Sequence, residues 1–311
     1  QAVKIVSLIL AVLSLLIVVL EFLFYVPFID KFLPETTSCN VYAKYKPSGE
    51  VKRRIIINGH TDSAYEWTLM KIRQEVMVAV LGLDLVCVIA SIVIFVINII
   101  KGSVPLWSVI FSAATSVAYV GLFFVCNFKV LSPGANDNLT GVFVAVSALK
   151  CLKESGIRYE NTEVCALLTG SEEAGLRGAT AFTKKHKGEN KDVETYIVSF
   201  DTMRDYDHMT IYHRDMTGMV KNSPEVVALL DEACKDPDVN HPLPHGVVPF
   251  GASDAAAFSR GGFKAAAVAG QNPKYAPYYH NRRDTPDQLI PETFALGLDI
   301  ALAAIEAFDR K

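Results

Sequence analysis

Apolar residues follow two patterns along the chain. In three blocks, residues 5–28, 76–100 and 104–128, hydrophobic side chains succeed one another almost without interruption. Elsewhere, short β-rich runs alternate with stretches whose apolar positions recur every three or four residues, the pattern of a layered α/β domain. It predicts strands at 40–45, 54–58, 163–169, 195–200, 209–213 and 263–268. It predicts helices at 141–154, 173–186, 224–235, 253–260 and 291–308. Internal repeats and low-complexity stretches are absent from the sequence.

Each uninterrupted block is long enough to cross a bilayer, which takes about 20 apolar residues as a helix. The first exceeds the usual apolar core of a signal peptide, and no small-residue cleavage site follows Phe28, so it reads as an anchor. Glu21 within it keeps a buried core helix open as the alternative. Lys101, Gly102 and Ser103, ahead of Pro105, form a turn-like link between the second and third blocks, as in an antiparallel helical hairpin. The only acid in the hairpin is Asp84, and from Leu85 to Ile100 it lacks the amphipathic stripe of a water-soluble helix pair. Two crossings return the chain to the side it left. The expected organisation is a transmembrane anchor at 1–30, a first catalytic part at 38–75, the hairpin at 76–128 and the rest of the catalytic domain at 129–311. Lys31, Lys71, Arg73 and Lys129 on the globular side, against Lys4 and Lys101 on the other, lean toward an integral membrane protein with a cytoplasmic catalytic domain.

Composition narrows the partners. The 311 residues are 51% hydrophobic, more than one α/β core needs, and the three blocks account for the surplus. A formal charge of -3 without a basic stripe gives no footing for nucleic acid. Of the six cysteines, Cys87 and Cys126 lie in apolar blocks and Cys39, Cys151, Cys165 and Cys234 show no close pairing, so no disulfide framework is expected. Beginning at Gln1 rather than Met, the chain is expected to be a fragment or processed product.

Candidate chemistry collects where strands end, the edge at which open α/β sheets bind ligands. The strand at 54–58 runs into Gly59-His60-Thr61-Asp62, that at 163–169 into Gly170-Ser171-Glu172-Glu173, and that at 195–200 into Asp201. His60 and Asp62 suit a metal-bound imidazole beside a carboxylate that orients it, or an ordinary polar loop. Asp137, in Gly134-Ala135-Asn136-Asp137-Asn138, can bridge two cations or cap the helix that follows. Of Glu172 and Glu173, one can bind metal while the other takes a proton from water, or both can complement a helix dipole. His280, in Tyr278-Tyr279-His280-Asn281, is alone no more than a polar histidine among tyrosines.

In order, this HxD pair, GANDN, SEEAG, the post-strand Asp201 and the late His280 resemble the M28 family of zinc aminopeptidases. The resemblance runs from about residue 40 to the C-terminal helix and includes Phe250-Gly251-Ala252-Ser253-Asp254, similar to the family's SD-containing loop. It implies an α/β/α sandwich with a central mixed sheet, like other zinc exopeptidases, alongside the transmembrane helices. It also implies two zinc ions: one held by His60 and Asp201, the other by Glu173 and His280, with Asp137 bridging. Glu172 then activates a zinc-bridging water, Asp62 stands behind His60, and Asp254 and Asp284 support the pocket and the His280 loop. The implied activity is removal of N-terminal residues from peptides with a free amine, by an enzyme embedded in a lipid bilayer.

Two features depart from the family: the hairpin between His60 and Asp137, where a short connection is usual, and Ala255, where relatives carry a larger polar residue. Other readings of the same fold are a single-zinc acyl transferase resembling glutaminyl cyclase and a catalytically silent membrane receptor or scaffold. Intact His60 and Asp201 weigh against the first, and retention of the base and all five ligands against the second.

Overall fold

A computed structural model describes residues 1–188, 193–274 and 276–311. The described chain divides into two compact units, residues 36–64, 133–276 and 283–311 forming one, and 1–35, 65–132 and 277–282 the other. The expected boundaries at 75/76 and 128/129 both fall inside the second of these.

In the first unit, β-branched runs such as Ile55-Ile56-Ile57 extend as strands that are buried almost end to end, the pattern of a sheet covered on both faces. The strands lie in the order Val41–Tyr45, Thr162–Thr169, Arg53–His60, Glu194–Met203, Lys264–Gly270, Met209–Asp215 and Val220–Lys221, with His245–Val247 beside Met209–Asp215. Four central strands are parallel, and Val41–Tyr45 and Met209–Asp215 run antiparallel to them, which makes the sheet mixed, as expected.

Alternation along the strands separates two layers. Ile55, Ile57, Val164, Ala166, Val198, Phe200 and Val268 share a core with the helices Thr140–Ser155, Pro224–Cys234 and Pro291–Asp309. The last of these supplies Leu296, Ile300, Ala304 and Phe308 at helical spacing. On the opposite face Phe182, from the helix Arg177–His186, meets Tyr42 at 5.1 Å and Phe258, from the helix Asp254–Arg260, at 6.0 Å between ring centroids. Six predicted strands and five predicted helices thus have counterparts. Strand ends extend by two or three residues, and the largest shift is that the helix expected from residue 173 begins at Arg177. Ser171, Gly175 and Leu176 have φ of +56°, +102° and +57°, and left-handed backbone cannot continue a right-handed helix.

Two glycines bring the start of the Thr140–Ser155 helix onto the sheet. A Cβ on Gly59 would lie 2.5 Å from the Gly141 carbonyl carbon, and one on Gly141 would lie 2.1 Å from the Phe200 oxygen. Only bare backbone fits between these segments.

The other unit is helical. Ala2–Ile17 continues through a wider turn at Val18–Leu23, and Gln74–Ile100 and Leu106–Leu122 follow, joined by a short link. At 27 residues, Gln74–Ile100 is about 40 Å long, enough for a hydrocarbon core of about 30 Å. Leu106–Leu122 has 17 residues, short of the expected block, because Cys126–Leu131 pairs as a strand with Tyr65–Trp67 instead. Asp84, Ser91 and Asn98 recur every seventh residue and are buried, while Val78, Leu85, Val86, Val93 and Val96 are exposed. Asn98 donates to Ser108 at 3.2 Å and Ser91 lies 3.1 Å from the Tyr119 hydroxyl. A polar interior with an apolar exterior reverses the water-soluble pattern.

Replacing Gly141 by Ala forces backbone apart and is expected to cost about 1–3 kcal/mol. The thermal midpoint in detergent should fall below that of the natural chain, and an unchanged midpoint would contradict the close approach.

Candidate metal centre

Strand register alone gathers the first donors. His60 is the last residue of its strand and pairs with Thr169 on one side, while Asn58 pairs with Ser199 on the other, so Asp201 comes level with His60. Glu172 lies three residues beyond Thr169, in the turn that precedes the Arg177 helix. His60 Nε2 is 3.2 Å from Asp137 Oδ1, 3.8 Å from Asp201 Oδ1 and 4.0 Å from Glu172 Oε2. Ligating atoms of His60, Asp137 and Asp201 all lie within 4.8 Å of one another, as do those of His60, Glu172 and Glu173.

His60 Nδ1 is 3.0 Å from the Asp62 carbonyl oxygen, to which it donates, and this orients the ring with Nε2 toward the carboxylates. The Asp62 carboxylate lies 3.7 Å from the same Nδ1 and accepts the Glu172 amide at 2.9 Å and the Glu173 amide at 3.1 Å. One residue thus fixes both the imidazole and the acidic turn. Asp284 does the same for the bridging candidate: its two oxygens accept the Asn136 and Asp137 amides at 2.8 and 3.0 Å. The resemblance assigned Asp284 to the His280 loop; within its own unit it supports the Asp137 segment.

The competing structural roles resolve in the same geometry. The helix-capping side chain is that of Asn138, whose Oδ1 accepts the Gly141 amide at 3.0 Å while its Nδ2 donates to the Phe200 carbonyl at 2.9 Å. Asp137 is therefore not spent as a cap. Glu172 and Glu173 precede their helix by a left-handed turn, so they do not form its first turn.

In a second tier of polar residues behind the donors, Asp254 was singled out in the sequence, but Asn58, Thr169, Ser199 and Asp215 were not. Ser199 donates to Asn58 at 2.8 Å, Asn58 donates to Thr169 at 3.1 Å, and Thr169 donates to Asp254 Oδ2. Asp254 Oδ1 is buried and has no hydrogen-bond partner among the described residues. Fully buried Asp215 accepts both the amide and the hydroxyl of Ser253, at 3.0 and 2.6 Å, and so fixes the loop that carries Asp254. Asn and Ser inside strands have no sequence signature that separates such a relay from ordinary strand polarity.

The cluster carries more negative charge than one imidazole can balance. Burial pushes Glu172 well above the usual carboxylate range and Asp201 up to about 8, each assisted by neighbouring carboxylates. Asp254 rises to about 6, again chiefly by burial. Burial disfavours the His60 imidazolium, yet Glu172, Asp137, Asp62 and Asp201 together hold its pKa well above the ordinary value. Oxygen and imidazole donors converging with surplus negative charge fit divalent cations, zinc among them.

His280 belongs to the helical unit, where its ring lies 4.8 Å from that of Trp67 and stacks on Tyr279 at 3.8 Å. Within the first unit the structure thus brings together His60, Asp137, Glu172, Glu173 and Asp201.

Sequence and structure comparisons point the same way. The profile of peptidase family M28 matches residues 107–305, more than half of the chain. No curated protein sequence matches. Among solved structures, the aminopeptidase from Aneurinibacillus sp. strain AM-1 is 21% identical with a TM-score of 0.54, the match covering 86% of this chain and 47% of that one. BSAP, a zinc aminopeptidase from Bacillus subtilis, is 17% identical at a TM-score of 0.55, covering 86% and 49%. A glutaminyl cyclase from Bacteroides thetaiotaomicron is 12% identical at 0.56, covering 86% and 76%. At these identities the likeness is one of fold, and the chain spans about half the length of the two aminopeptidases.

Protons and metal compete for the same oxygens. The Asp201 carboxyl, pushed up to about 8, holds its proton at pH 6 and has released much of it by pH 8. Zinc affinity is therefore expected to rise across that interval, by up to about tenfold per unit for each proton displaced. Asp62→Ala should weaken zinc about 10–100-fold, the loss typical of an outer partner. Chelator competition at the two pH values checks both, and a flat profile or a wild-type affinity for the variant would contradict the centre.

Proposed function

Because the chain belongs to peptidase family M28, we propose that it is a membrane-anchored two-zinc aminopeptidase that removes N-terminal residues from peptides. The observation that carries the reading is the convergence of His60, Asp137, Glu172, Glu173 and Asp201 on one sheet edge. One ion would be held by His60 and Asp201, the other by Glu173 and His280, with Asp137 shared.

Bound zinc would supply Lewis acidity for the scissile carbonyl and for the attacking water, and a docking point for the free amine. The chain's own groups do the rest. Glu172, an acid beside the ligands whose backbone amide is fixed by Asp62, accepts the proton of the attacking water and returns it to the leaving amine. Thr169 and Asn58 hold Asp254 behind it. Surplus carboxylate charge suits a cationic N-terminus. The apolar exterior and buried polar stripe of the helical unit support its lying in a bilayer, with Ala2–Leu23 and Gln74–Ile100 as spans and the shorter apolar helix Leu106–Leu122 as the return arm of the hairpin.

Glu172→Gln keeps the shape of the base and removes its proton-accepting capacity. With zinc replete, kcat on an aminoacyl anilide should fall about 10²–10⁴-fold. Zinc content should stay at two per chain, and blocking the substrate's amine should abolish cleavage by the natural chain. Equal rates for the variant would overturn the assignment of the base. One tightly held zinc per active chain, with inert anilides, would favour the single-zinc acyl transferase instead.

A further inference from the structure

The helical unit does more than provide apolar helices, because it also contains the His280 loop. Residues 277–282 group with that unit. The Trp67 amide donates to the His280 carbonyl at 2.8 Å, and the Trp67 ring meets the imidazole nearly edge-on, at 79°. Glu66, buried next to Trp67, accepts from Arg282 through both oxygens, at 2.6 Å from Nε and 2.7 Å from Nη2. Fully buried Asn281 donates to the Pro277 and Tyr279 carbonyls, and its own carbonyl accepts from Ser132. The loop is thus clamped on both sides of His280.

The clamp stands on the start of the long apolar helix. Trp67 and Tyr279 pack against a small cluster of Met70, Met77 and Val125, which Val80 and Leu81 also join. Met77, Val80 and Leu81 occupy the first two turns of Gln74–Ile100, and Glu66 and Trp67 lie on the strand that leads to it. A bidentate ion pair from half-exposed Arg282 to buried Glu66 and a T-shaped aromatic contact are directional, so they fix an orientation as well as a position.

We propose that Glu66 and Trp67 are positioning residues for His280, so that the hold on one of two zinc ions depends on the packing at the root of the membrane hairpin. The proposal rests on the reading of His280 as a zinc ligand. It gives the hairpin a part in the chemistry beyond anchorage: whatever shifts the first turns of Gln74–Ile100 also shifts a ligand. Glu66 and Trp67 touch neither substrate nor water in this scheme and act through the imidazole.

The test is zinc competition against a chelator, with zinc counted per chain, on the full chain in detergent. Glu66→Gln and Trp67→Ala are each expected to loosen one ion about 10–100-fold and to leave the other at wild-type affinity. The retained ion reports that the unit carrying His60 and Asp201 is folded. Trp67→Phe, which keeps an aromatic edge, should restore most of the loss, and Glu66→Gln added to His280→Ala should weaken binding no further than His280→Ala alone. If His280→Ala loosens one ion while both positioning variants bind like the natural chain, the positioning role is overturned and the ligand reading stands. If His280→Ala keeps both ions at full affinity, the ligand reading falls and the proposal with it. Loss of both ions in both positioning variants would overturn it as well, since the effect would not be confined to His280.

Discussion

Negative charge buried around His60 is the constraint on which the rest of the sheet-bearing unit depends. Carboxylates removed from water repel one another and cost several kcal/mol each unless a cation compensates. Asp137, Glu172, Glu173 and Asp201 face a single imidazole within one unit, so the arrangement is one that divalent ions stabilise. The surroundings all serve to keep those oxygens together. Parallel register sets His60 level with Thr169 and with Asp201, Gly59 and Gly141 let the Asp137 segment approach, and Asp62 and Asp284 accept the backbone amides beside the acids they serve.

The two-unit division gives the same logic a second level. Donors on rigid strand ends are fixed by the sheet, whereas His280 sits on a loop and takes its order from Glu66, Trp67, Tyr279 and Asn281. Those partners lie beside an apolar helix whose polar residues point inward. In such a chain the apolar segments interrupt the sequence of the catalytic unit between His60 and Asp137 without interrupting its sheet, because the strands before and after the insertion pair with one another directly.

Much of this was legible in the sequence, for definite reasons. Strands buried on both faces read as unbroken β-branched runs, and residues at or just beyond their carboxyl ends carry the chemistry; this is why His60, Glu172, Glu173 and Asp201 could be named, although His60 and Asp201 fall within longer strands than expected. Helix ends set by proline or glycine, at Pro224, Pro291 and Gly156, were close to their expected positions. The errors came where local pattern and three-dimensional pairing disagree. Residues 173–176 read as the start of a helix, but left-handed backbone delays it to Arg177. Residues 126–128 read as the end of an apolar helix, but pairing with Tyr65–Trp67 draws them into a strand. Asn58, Thr169, Ser199 and Asp215 carry the hydrogen bonds behind the site, and no spacing rule marks them because their partners come from distant strands. Glu66 and Arg282 are 216 residues apart, and nothing local to either predicts their pairing.

The central claim is that this chain binds two zinc ions with divided ligands, and anomalous diffraction at the zinc edge from crystals of the zinc-loaded protein tests it most directly. The account predicts two peaks about 3.5–4 Å apart, one against His60 and Asp201, the other against Glu173 and His280, with Asp137 touching both. A single peak, or a second one away from His280, would contradict it.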